Sequence, residues 1–295
     1  MTTSWKAWAS GFIGVLIFSG SLPATRLGLA DFAPLFLTSA RAVIAALLGA
    51  ALLLGLREKR PALRDLLPLA VVALGVVVGF PLLTALALQS ISSAQSTVFI
   101  GLLPLCTALF GVLRAGERPS AIFWMFSVTG AALVAGFALS TTADMAIAGA
   151  GLMIAAILAC GLGYAEGARL SRRLGGWQVI SWALVLSLPV VLPLALWTVP
   201  EDLAAVSTSG WLALAYVSMF SMMIGFIFWY RGLALGGIAS VGQLQLLQPF
   251  LGFVLAAGLL HEKVSPPMLV TALLVVLCVA ASRRFAREST PGKNA

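Results

Sequence analysis

A lone arginine stands inside a long apolar stretch in the first part of the chain. Arg41 lies nine residues into the stretch 32–54, a depth of about 14 Å in a helix that rises 1.5 Å per residue. A guanidinium placed there can hold a carboxylate through charge-assisted hydrogen bonds. It can also snorkel outward and bond backbone carbonyls near the first apolar stretch. An arginine inside the membrane is therefore either a contact for a substrate carboxylate or a packing element.

Three glutamines occupy another apolar stretch near the end of the chain, "VGQLQLLQPF" at 241–250. Gln245 and Gln248 are three residues apart and share one face of a helix, whereas Gln243 points roughly the opposite way. Amide side chains in such a stretch either bond neighbouring helices or line a wet cavity. Both alternatives remain open from the sequence.

A cavity for a zwitterionic molecule needs neutral polar groups together with aromatic walls. Thr84 and Gln95 add polar groups to those of Gln245 and Gln248. The alternative for each phenylalanine in an apolar stretch is simple packing. We predict a substrate-binding site formed by these four polar residues and by Phe18, Phe80, Phe99, Tyr164, Trp229 and Tyr230.

Groups that could carry protons or metals are scarce in the apolar stretches. Glu166 lies there with Arg169 three residues further on, the spacing of an ion pair on a helix. The stretches otherwise contain no Asp, Glu or His, so no proton relay is indicated. Cys106, Cys160 and Cys278 lack metal-ligand spacing. We therefore expect no metal, no cofactor and no enzymatic activity.

The composition requires a membrane around these residues. The chain has 295 residues, 61% hydrophobic and 9% charged, whereas a soluble domain carries about 25% charged residues. Its apolar runs of about 20 residues match the hydrocarbon thickness and do not alternate, which indicates helices and not barrel strands. We predict an all-α polytopic membrane protein with ten spans at 7–25, 32–54, 66–88, 93–113, 120–139, 148–168, 177–198, 210–230, 238–260 and 266–282.

The basic residues orient these spans. Cytoplasmic loops carry an excess of Lys and Arg, and ten spans with both termini in the cytoplasm place 15 of the 18 basic residues there. The net charge of +8 is thus explained by topology and not by nucleic-acid binding. The 15 residues are Lys6, Arg57, Lys59, Arg60, Arg64, Arg114, Arg118, Arg169, Arg172, Arg173, Arg231, Arg283, Arg284, Arg287 and Lys293.

The expected partners are a small-molecule substrate and the lipid bilayer of a bacterial inner membrane, and a monomer is plausible.

An internal repeat divides the chain into two halves. A shift of 145 residues superposes "GERPS" at 116–120 on "HEKVS" at 261–265, so that Glu117 falls on Glu262 and Pro104 on Pro249. Locally, the Glu opens a connection and the Ser caps the next helix. Five spans per half is an odd number, so the second half enters the membrane from the opposite side. We predict two inverted five-helix repeats, residues 1–147 and 148–295, an arrangement typical of transporters.

Three prolines lie inside predicted spans, namely Pro81, Pro104 and Pro249. Each weakens its helix locally because it lacks an N–H group. Pro104 and Pro249 occupy equivalent positions in the two halves. They are therefore predicted either as paired hinges or as static kinks.

The duplicated unit, the "L-P-L…G-E-R-P" and "Q-P-F…H-E-K-V" motifs and the Arg41 pattern together resemble the drug/metabolite transporter superfamily of the EamA type, over about 280 residues. Within it, the chain looks most like the bacterial aromatic amino acid exporters. The resemblance implies alternating access, export of amino acids or similar metabolites across the inner membrane, and a site near the midplane between helices 1, 3, 4, 6, 8 and 9. Leu103 and Leu162 stand where aromatic residues are expected for such exporters.

Other functions fit the sequence less well. A drug or nucleotide-sugar carrier of the same superfamily is the nearest alternative. A passive channel would present rings of like polar residues rather than two equivalent proline-bent helices. A membrane enzyme would need a nucleophile or a metal set within its spans.

Overall fold

The computed structural model describes residues 2–115, 121–140, 144–236 and 241–286, and every regular element in these ranges is a helix. Long apolar runs form helices because the backbone polar groups then bond within each segment. The helices are α1, Thr2–Ser19 and Ser21–Gly28; α2, Pro34–Gly55; α3, Leu63–Val72, the π-helix Ala73–Gly79 and Phe80–Ala87; α4, Ser93–Ile100 and Leu103–Ala115; α5, Ala121–Ser140; α6, Asp144–Leu174; α7, Gly176–Trp197; α8, Thr208–Ala215, the π-helix Tyr216–Ile224 and Gly225–Gly236; α9, the 3₁₀-helix Gly242–Leu247 and Gln248–Leu260; and α10, Pro266–Ala286.

Within the described residues, seven helical stretches are long and apolar enough to cross a membrane, and two further apolar helices are shorter. The predicted all-α polytopic membrane protein is thereby confirmed, while the count of ten spans and the orientation of the termini stay predictions. The seven stretches are Trp5–Gly28, Pro34–Gly55, Leu63–Ala87, Ser93–Arg114, Ile147–Leu174, Gly176–Trp197 and Thr208–Gly236, and the shorter ones are Leu244–Leu260 and Pro266–Cys278.

Helix α6 is longer than its apolar pattern suggested. The span was predicted at 148–168, and the helix runs over Asp144–Leu174. The apolar pattern measures only the part that fits the hydrocarbon, whereas the helix continues through Arg169, Arg172 and Arg173 beyond it. These basic residues near its carboxyl end also suit the negative end of the helix dipole.

The helices pack in pairs that join the first half of the chain to the second. The main contacts are α2 with α7, α1 with α8, α3 with α6, and α5 with α10. If the two halves are exchanged, so that α1 takes the place of α6, α2 that of α7 and so on, the same set of pairs results. Neither half buries its helix faces alone.

Glycines let the paired helices approach closely. A β-carbon at Gly14 of α1 would lie 3.2 Å from the carbonyl oxygen of Gly225 in α8. One at Gly75 of α3 would lie 3.0 Å from the Cα of Gly163 in α6. Small residues at such crossings replace side-chain packing by direct backbone contact, which is typical of helix association in membranes.

Ion pairs tie the helices together at one end of the bundle, which we call the basic end and define by the loop 56–62 and the junction between α6 and α7. The Glu166 carboxylate, fully buried, accepts hydrogen bonds from Arg169 and, at 3.1 Å, from the Nε of Arg114 in α4. Asp65 of α3 pairs with Arg173 of α6. The predicted pair of Glu166 and Arg169 is thus present, and Arg114 is a partner that the local spacing did not indicate.

Hydrogen bonds between loops close the other end, which we call the opposite end. Asp31, between α1 and α2, accepts hydrogen bonds from the backbone nitrogen and the hydroxyl of Ser207 at 3.1 and 2.6 Å. These bonds hold the pKa of Asp31 below its usual value. Arg26 donates to the carbonyl oxygen of Leu88, at the end of α3.

Glu262 forms the third link at the opposite end. Its carboxylate accepts hydrogen bonds from the backbone nitrogens of Ser93 and Ala94, at 3.1 and 2.8 Å, and from the Ser93 hydroxyl at 2.9 Å. It therefore caps the amino terminus of α4 from the loop after α9, where the helix dipole favours a negative charge. Its counterpart in the predicted repeat, Glu117, lies outside the described residues, as do Arg118 and Ser120.

Candidate functional site

A small cavity lies inside the bundle, between helices of both halves. Its free space is about 20 Å³, which is room for about one water molecule. An organic molecule can therefore enter only if the surrounding helices move apart. The cavity is lined by Phe18, Ser21, Leu22, Arg41, Val76, Phe80, Pro81, Ile100, Leu103, Tyr164, Ser221, Phe226 and Gln248.

Most of the lining residues flank interruptions of the α-helical backbone. Phe18 and Ser21 border the break in α1, and Ile100 and Leu103 border the turn in α4. Phe80 follows the π-helix of α3 directly. The lining residues of α8 and α9 likewise lie within or just after a π-helix and a 3₁₀-helix. Broken helices at this depth are tolerated where they line a cavity.

Arg41 reaches this cavity from α2. Its side chain is buried, and its Nη2 donates a hydrogen bond of 3.2 Å to the Ser221 hydroxyl of α8. The Ser221 and Ser21 hydroxyls lie 2.6 Å apart, which joins α8 to α1. Within the described part of the chain, the Arg41 Nε has no hydrogen-bond partner and no carboxylate pairs with the guanidinium. Arg41 thus lines the cavity, and the hydrogen bond described goes to a hydroxyl of α8 and not to a backbone carbonyl near α1, as snorkelling would require.

Aromatic rings form the wall of the cavity on the side of the basic end. The rings of Phe18 and Phe226 are 4.9 Å apart and meet edge to face, and Tyr164 lies 5.8 Å from Phe226. Trp229 stands behind Tyr164 at 5.7 Å, and Tyr230 behind Phe226 at 5.3 Å. Such edge-to-face and tilted pairs stabilise an aromatic cluster beyond the area that they bury. The aromatic cluster, that is, the wall and the two rings behind it, combines one residue from the first half of the chain with four from the second.

Buried amide groups without partners lie beside this wall. Gln248 lines the cavity, and its Oε1 has no hydrogen-bond partner in the described part of the chain. Gln245, one turn away on the same helix, is fully buried with both amide atoms unpartnered, and so is the indole nitrogen of Trp229. An unpaired buried polar group costs about 1–3 kcal/mol. The side chain of Gln243 lies outside the described residues.

The structure brings some of the predicted site residues to the cavity and places others next to it. Phe18, Phe80, Tyr164 and Gln248 line the cavity, and so does the predicted hinge Pro81. Trp229, Tyr230 and Gln245 lie behind its wall, as described above. Their part in binding a substrate stays a prediction.

Three predicted residues lie away from the lining. The Thr84 hydroxyl donates to the carbonyl oxygens of Phe80 and Pro81 in its own helix, at 2.8 and 3.0 Å. Gln95 accepts a hydrogen bond from the backbone nitrogen of Ser92 and completes the capping box that begins α4. Phe99 is buried in the main hydrophobic core. The polar groups of Thr84 and Gln95 therefore bond to the backbone of their own helices in this conformation.

The predicted hinge prolines all stand just after an interruption. Pro81 follows the π-helix of α3, and Pro249 follows the 3₁₀-helix of α9. Pro104 is the second residue of the helix that resumes after the turn at Gly101 and Leu102. Each proline is at the first or second position of the α-helical segment that resumes after the interruption, where it disturbs the following segment least.

Sequence reasoning missed Ser21, Ser221 and Phe226. Serines are frequent in membrane helices and usually bond their own backbone, as Ser39 does with the carbonyl oxygen of Leu35. Nothing local distinguishes a serine that bonds 200 residues away. The sequence feature that could have indicated this contact is the pair of glycines Gly14 and Gly225, where α1 and α8 approach closely.

Comparisons with known proteins identify the class of this chain. A solved structure is similar in fold, with a TM-score of 0.65 at 20% identity over 97% of this chain and 99% of the other. The "Uncharacterized transporter YdeK" of Bacillus subtilis (strain 168) is 62% identical over 287 residues, which cover 97% of this chain and all of that protein. The model of the EamA-like transporter family matches twice, at residues 5–140 and 147–283. The chain is therefore a multi-pass membrane transporter and belongs to the EamA-like transporter family.

Proposed function

We propose that the protein exports amino acids, aromatic ones included, or similar small metabolites across the bacterial cell inner membrane by alternating access. The observation that carries this proposal is the cavity between the two halves, which sets a buried guanidinium, two hydroxyls and an amide beside aromatic rings. A small zwitterion needs this combination of charged, neutral polar and aromatic groups. The cavity also lies where broken helices meet, as in other transporters.

Alternating access is supported by the relation between the halves. The family model matches each half separately, and the helix pairs are unchanged when the halves are exchanged. Two equivalent halves can swap the side on which they open around one site. In the conformation described here, ion pairs link helices at the basic end, and hydrogen bonds of Asp31, Arg26 and Glu262 link segments at the opposite end.

The charge of the cavity favours a substrate with a single negative group. Of the described residues that line it, Arg41 is the one that carries a charge. A nucleotide sugar bears two phosphates and requires several cations for their charge. This charge argues against a nucleotide sugar. A drug or nucleotide-sugar carrier of the same superfamily is the alternative function that the test below distinguishes.

The test is counterflow in liposomes that contain only the purified protein. The liposomes are preloaded with unlabelled phenylalanine, threonine, methionine, lysine or methyl viologen, and the entry of labelled amino acid is followed with and without a pH gradient. Saturable exchange of amino acids that is independent of the gradient is the expected result. The matched control is a liposome preparation without protein.

Each other outcome changes the proposal. Accumulation driven by the gradient would mean that the transporter is coupled to protons, and Glu166 would be the first residue to replace. Exchange with methyl viologen and not with amino acids would overturn the amino acid assignment and favour a drug carrier. Entry that never saturates would indicate a channel and contradict alternating access.

A further inference from the structure

We infer that Arg41 is the anchor for the substrate carboxylate, so that the transporter accepts molecules with a carboxylate and rejects their amides and esters. This inference rests on the proposed function, because it assigns a substrate class to the same cavity. It depends on three observations about Arg41, namely its burial, its unused donor and its place in the same cavity as the Gln248 amide.

Burial makes the charge of Arg41 costly in this conformation. The residue is 5% exposed and lies in the interior of the bundle. Moving a guanidinium into such a place costs several kcal/mol unless an anion accompanies it. The other buried ionic groups follow that rule, since Glu166 has two arginines and Asp65 has Arg173. Arg41 has no acidic partner in the described part of the chain, and the proposal assigns a substrate carboxylate to it as the missing anion.

The guanidinium also has an N–H group without a hydrogen-bond partner in the described residues. Its one hydrogen bond goes from Nη2 to Ser221, and its Nε is unpartnered in the described residues. The planar guanidinium presents parallel N–H groups that match the two oxygens of a carboxylate. A carboxylate in the cavity would take up the free Nε donor and release Ser221 to its partner Ser21.

The remaining polar group of the lining suits the rest of an amino acid. The Gln248 Oε1, which has no partner in the described part of the chain, is an acceptor in the same cavity and can receive the ammonium group. The rings of Phe18, Tyr164 and Phe226 are placed to contact an aromatic or aliphatic side chain. A single guanidinium matches the single negative charge of a carboxylate, whereas a phosphate ester would leave its second charge without a partner.

A structural role for Arg41 makes the opposite prediction about stability, which separates the two roles. Arg41→Met removes the charge and keeps a chain of similar length, and Ser221 retains its hydrogen bond to Ser21. Replacing an uncompensated buried charge by an apolar side chain is neutral or stabilising. We therefore expect the Tm of purified Arg41→Met in detergent to equal or exceed that of the unaltered protein. A Tm that falls by several degrees would overturn the anchor role in favour of packing.

The transport experiment uses three related molecules in liposomes. L-Phenylalanine carries the carboxylate, L-phenylalaninamide lacks it, and 3-phenylpropionate keeps it while lacking the ammonium group. The unaltered protein should exchange phenylalanine and should not be inhibited by phenylalaninamide. Arg41→Met should lose roughly 10- to 100-fold in kcat/KM for phenylalanine, the effect of one hydrogen-bonded charge partner. Arg41→Lys keeps the charge but cannot present two parallel N–H groups to a carboxylate. Its kcat/KM for phenylalanine should therefore lie between those of the unaltered protein and Arg41→Met.

Arg26→Gln is the matched control, because it removes an arginine that lies outside the cavity and bonds the Leu88 carbonyl oxygen. It should leave the preference for phenylalanine over phenylalaninamide unchanged. Equal transport by Arg41→Met and the unaltered protein would overturn the anchor role while the exporter proposal stands.

A binding measurement distinguishes failure of the anchor from failure of the exporter proposal. 3-Phenylpropionate should raise the Tm of the unaltered protein and leave that of Arg41→Met unchanged. If no amino acid is exchanged but this Arg41-dependent shift is seen, the exporter proposal fails and the carboxylate anchor stands. If amino acids are exchanged and 3-phenylpropionate shifts both proteins equally, the anchor is overturned.

Discussion

The carboxylate of Glu262 accepts hydrogen bonds from both the backbone nitrogen and the hydroxyl of Ser93, 169 residues away in the sequence. The glutamate of one half thus supplies the cap for a helix of the other half. This contact gives the boundary at Glu262 a role that is wider than ending one helix and starting the next. It also leads to the first prediction.

Glu262→Gln should loosen the start of α4 at the opposite end of the bundle. The amide turns one acceptor of the carboxylate into a donor that faces the N–H groups of Ser93 and Ala94. The loss of about 1–2 kcal/mol should speed hydrogen exchange at these amides about 5- to 30-fold. Exchange is measured by mass spectrometry on the protein in detergent. Glu201→Gln, which alters an exposed glutamate at the same end, is the control and should leave the rate unchanged.

Glu166→Gln should lower the thermal stability of the protein. The carboxylate is fully buried, while Arg114 and Arg169 are 45% and 49% exposed. The amide keeps the shape but loses the charge that joins α4 to α6, at a cost of about 1–3 kcal/mol. Thermal unfolding in detergent measures the change. An unaltered Tm would mean that the pair contributes nothing, as many exposed ion pairs do.

Acid should weaken the link between Asp31 and Ser207. The pKa of Asp31 is lowered by the two hydrogen bonds from Ser207. A carboxyl with a lower pKa in the folded state contributes stability above its unfolded pKa of about 3.9, and that stability is lost as the pH falls through the folded value. The Tm of the unaltered protein should therefore decline more steeply below about pH 4 than that of Asp31→Asn. Parallel curves for the two proteins would contradict the prediction.

Gln245→Met should make the protein more stable and a poorer transporter. Both amide atoms of Gln245 are buried and, within the described residues, unpartnered, so an apolar side chain of similar length removes a cost of about 1–3 kcal/mol. If the amide serves the substrate in an open conformation, exchange should fall at equal protein levels. Leu244→Met on the neighbouring face is the control. Exchange at the unaltered rate by Gln245→Met would remove this residue from the predicted site.

Trp229 provides another test of the predicted site, because its indole nitrogen is buried without a partner in the described part of the chain. Its replacement by alanine also removes a fully buried ring, so the stability should fall as well. Trp229→Ala should lower counterflow while the protein still inserts into the membrane. The amount of folded protein is followed by size-exclusion chromatography. Tyr164→Phe is a gentler change in the same aromatic wall and should retain more activity, because it keeps the ring that packs against Phe226.

Much of the fold follows from the sequence because a lipid bilayer restricts the backbone structures that a long apolar segment can form. Apolar runs separated by charged loops predicted the positions of the helices, and the ends of α2 differ from their prediction by only one or two residues. The interruptions were harder to predict. Prolines 81, 104 and 249 indicated weak points, and Pro81 does follow the π-helix Ala73–Gly79, yet the π-helix Tyr216–Ile224 has no proline beside it.

The candidate site was predictable only where a residue is unusual in its surroundings. Arg41 stood out as a charge within an apolar run, and the glutamines of α9 stood out as amides. Ser21 and Ser221 are ordinary residues for a membrane helix, and their contact depends on how α1 meets α8. A hydropathy pattern describes each helix by itself and does not say which faces meet.

The pairing of α1 with α8 and of α3 with α6 has a consequence for biosynthesis. The first helices to leave the ribosome find their main neighbours only after the chain has been translated through the second half. Helix α1 must therefore wait in the lipid bilayer, with Gly14 and Ser21 exposed to lipid, until α8 is inserted. Insertion and folding are for this reason separate events, and a chain that stops after the first half would lack the partners of its main helix contacts.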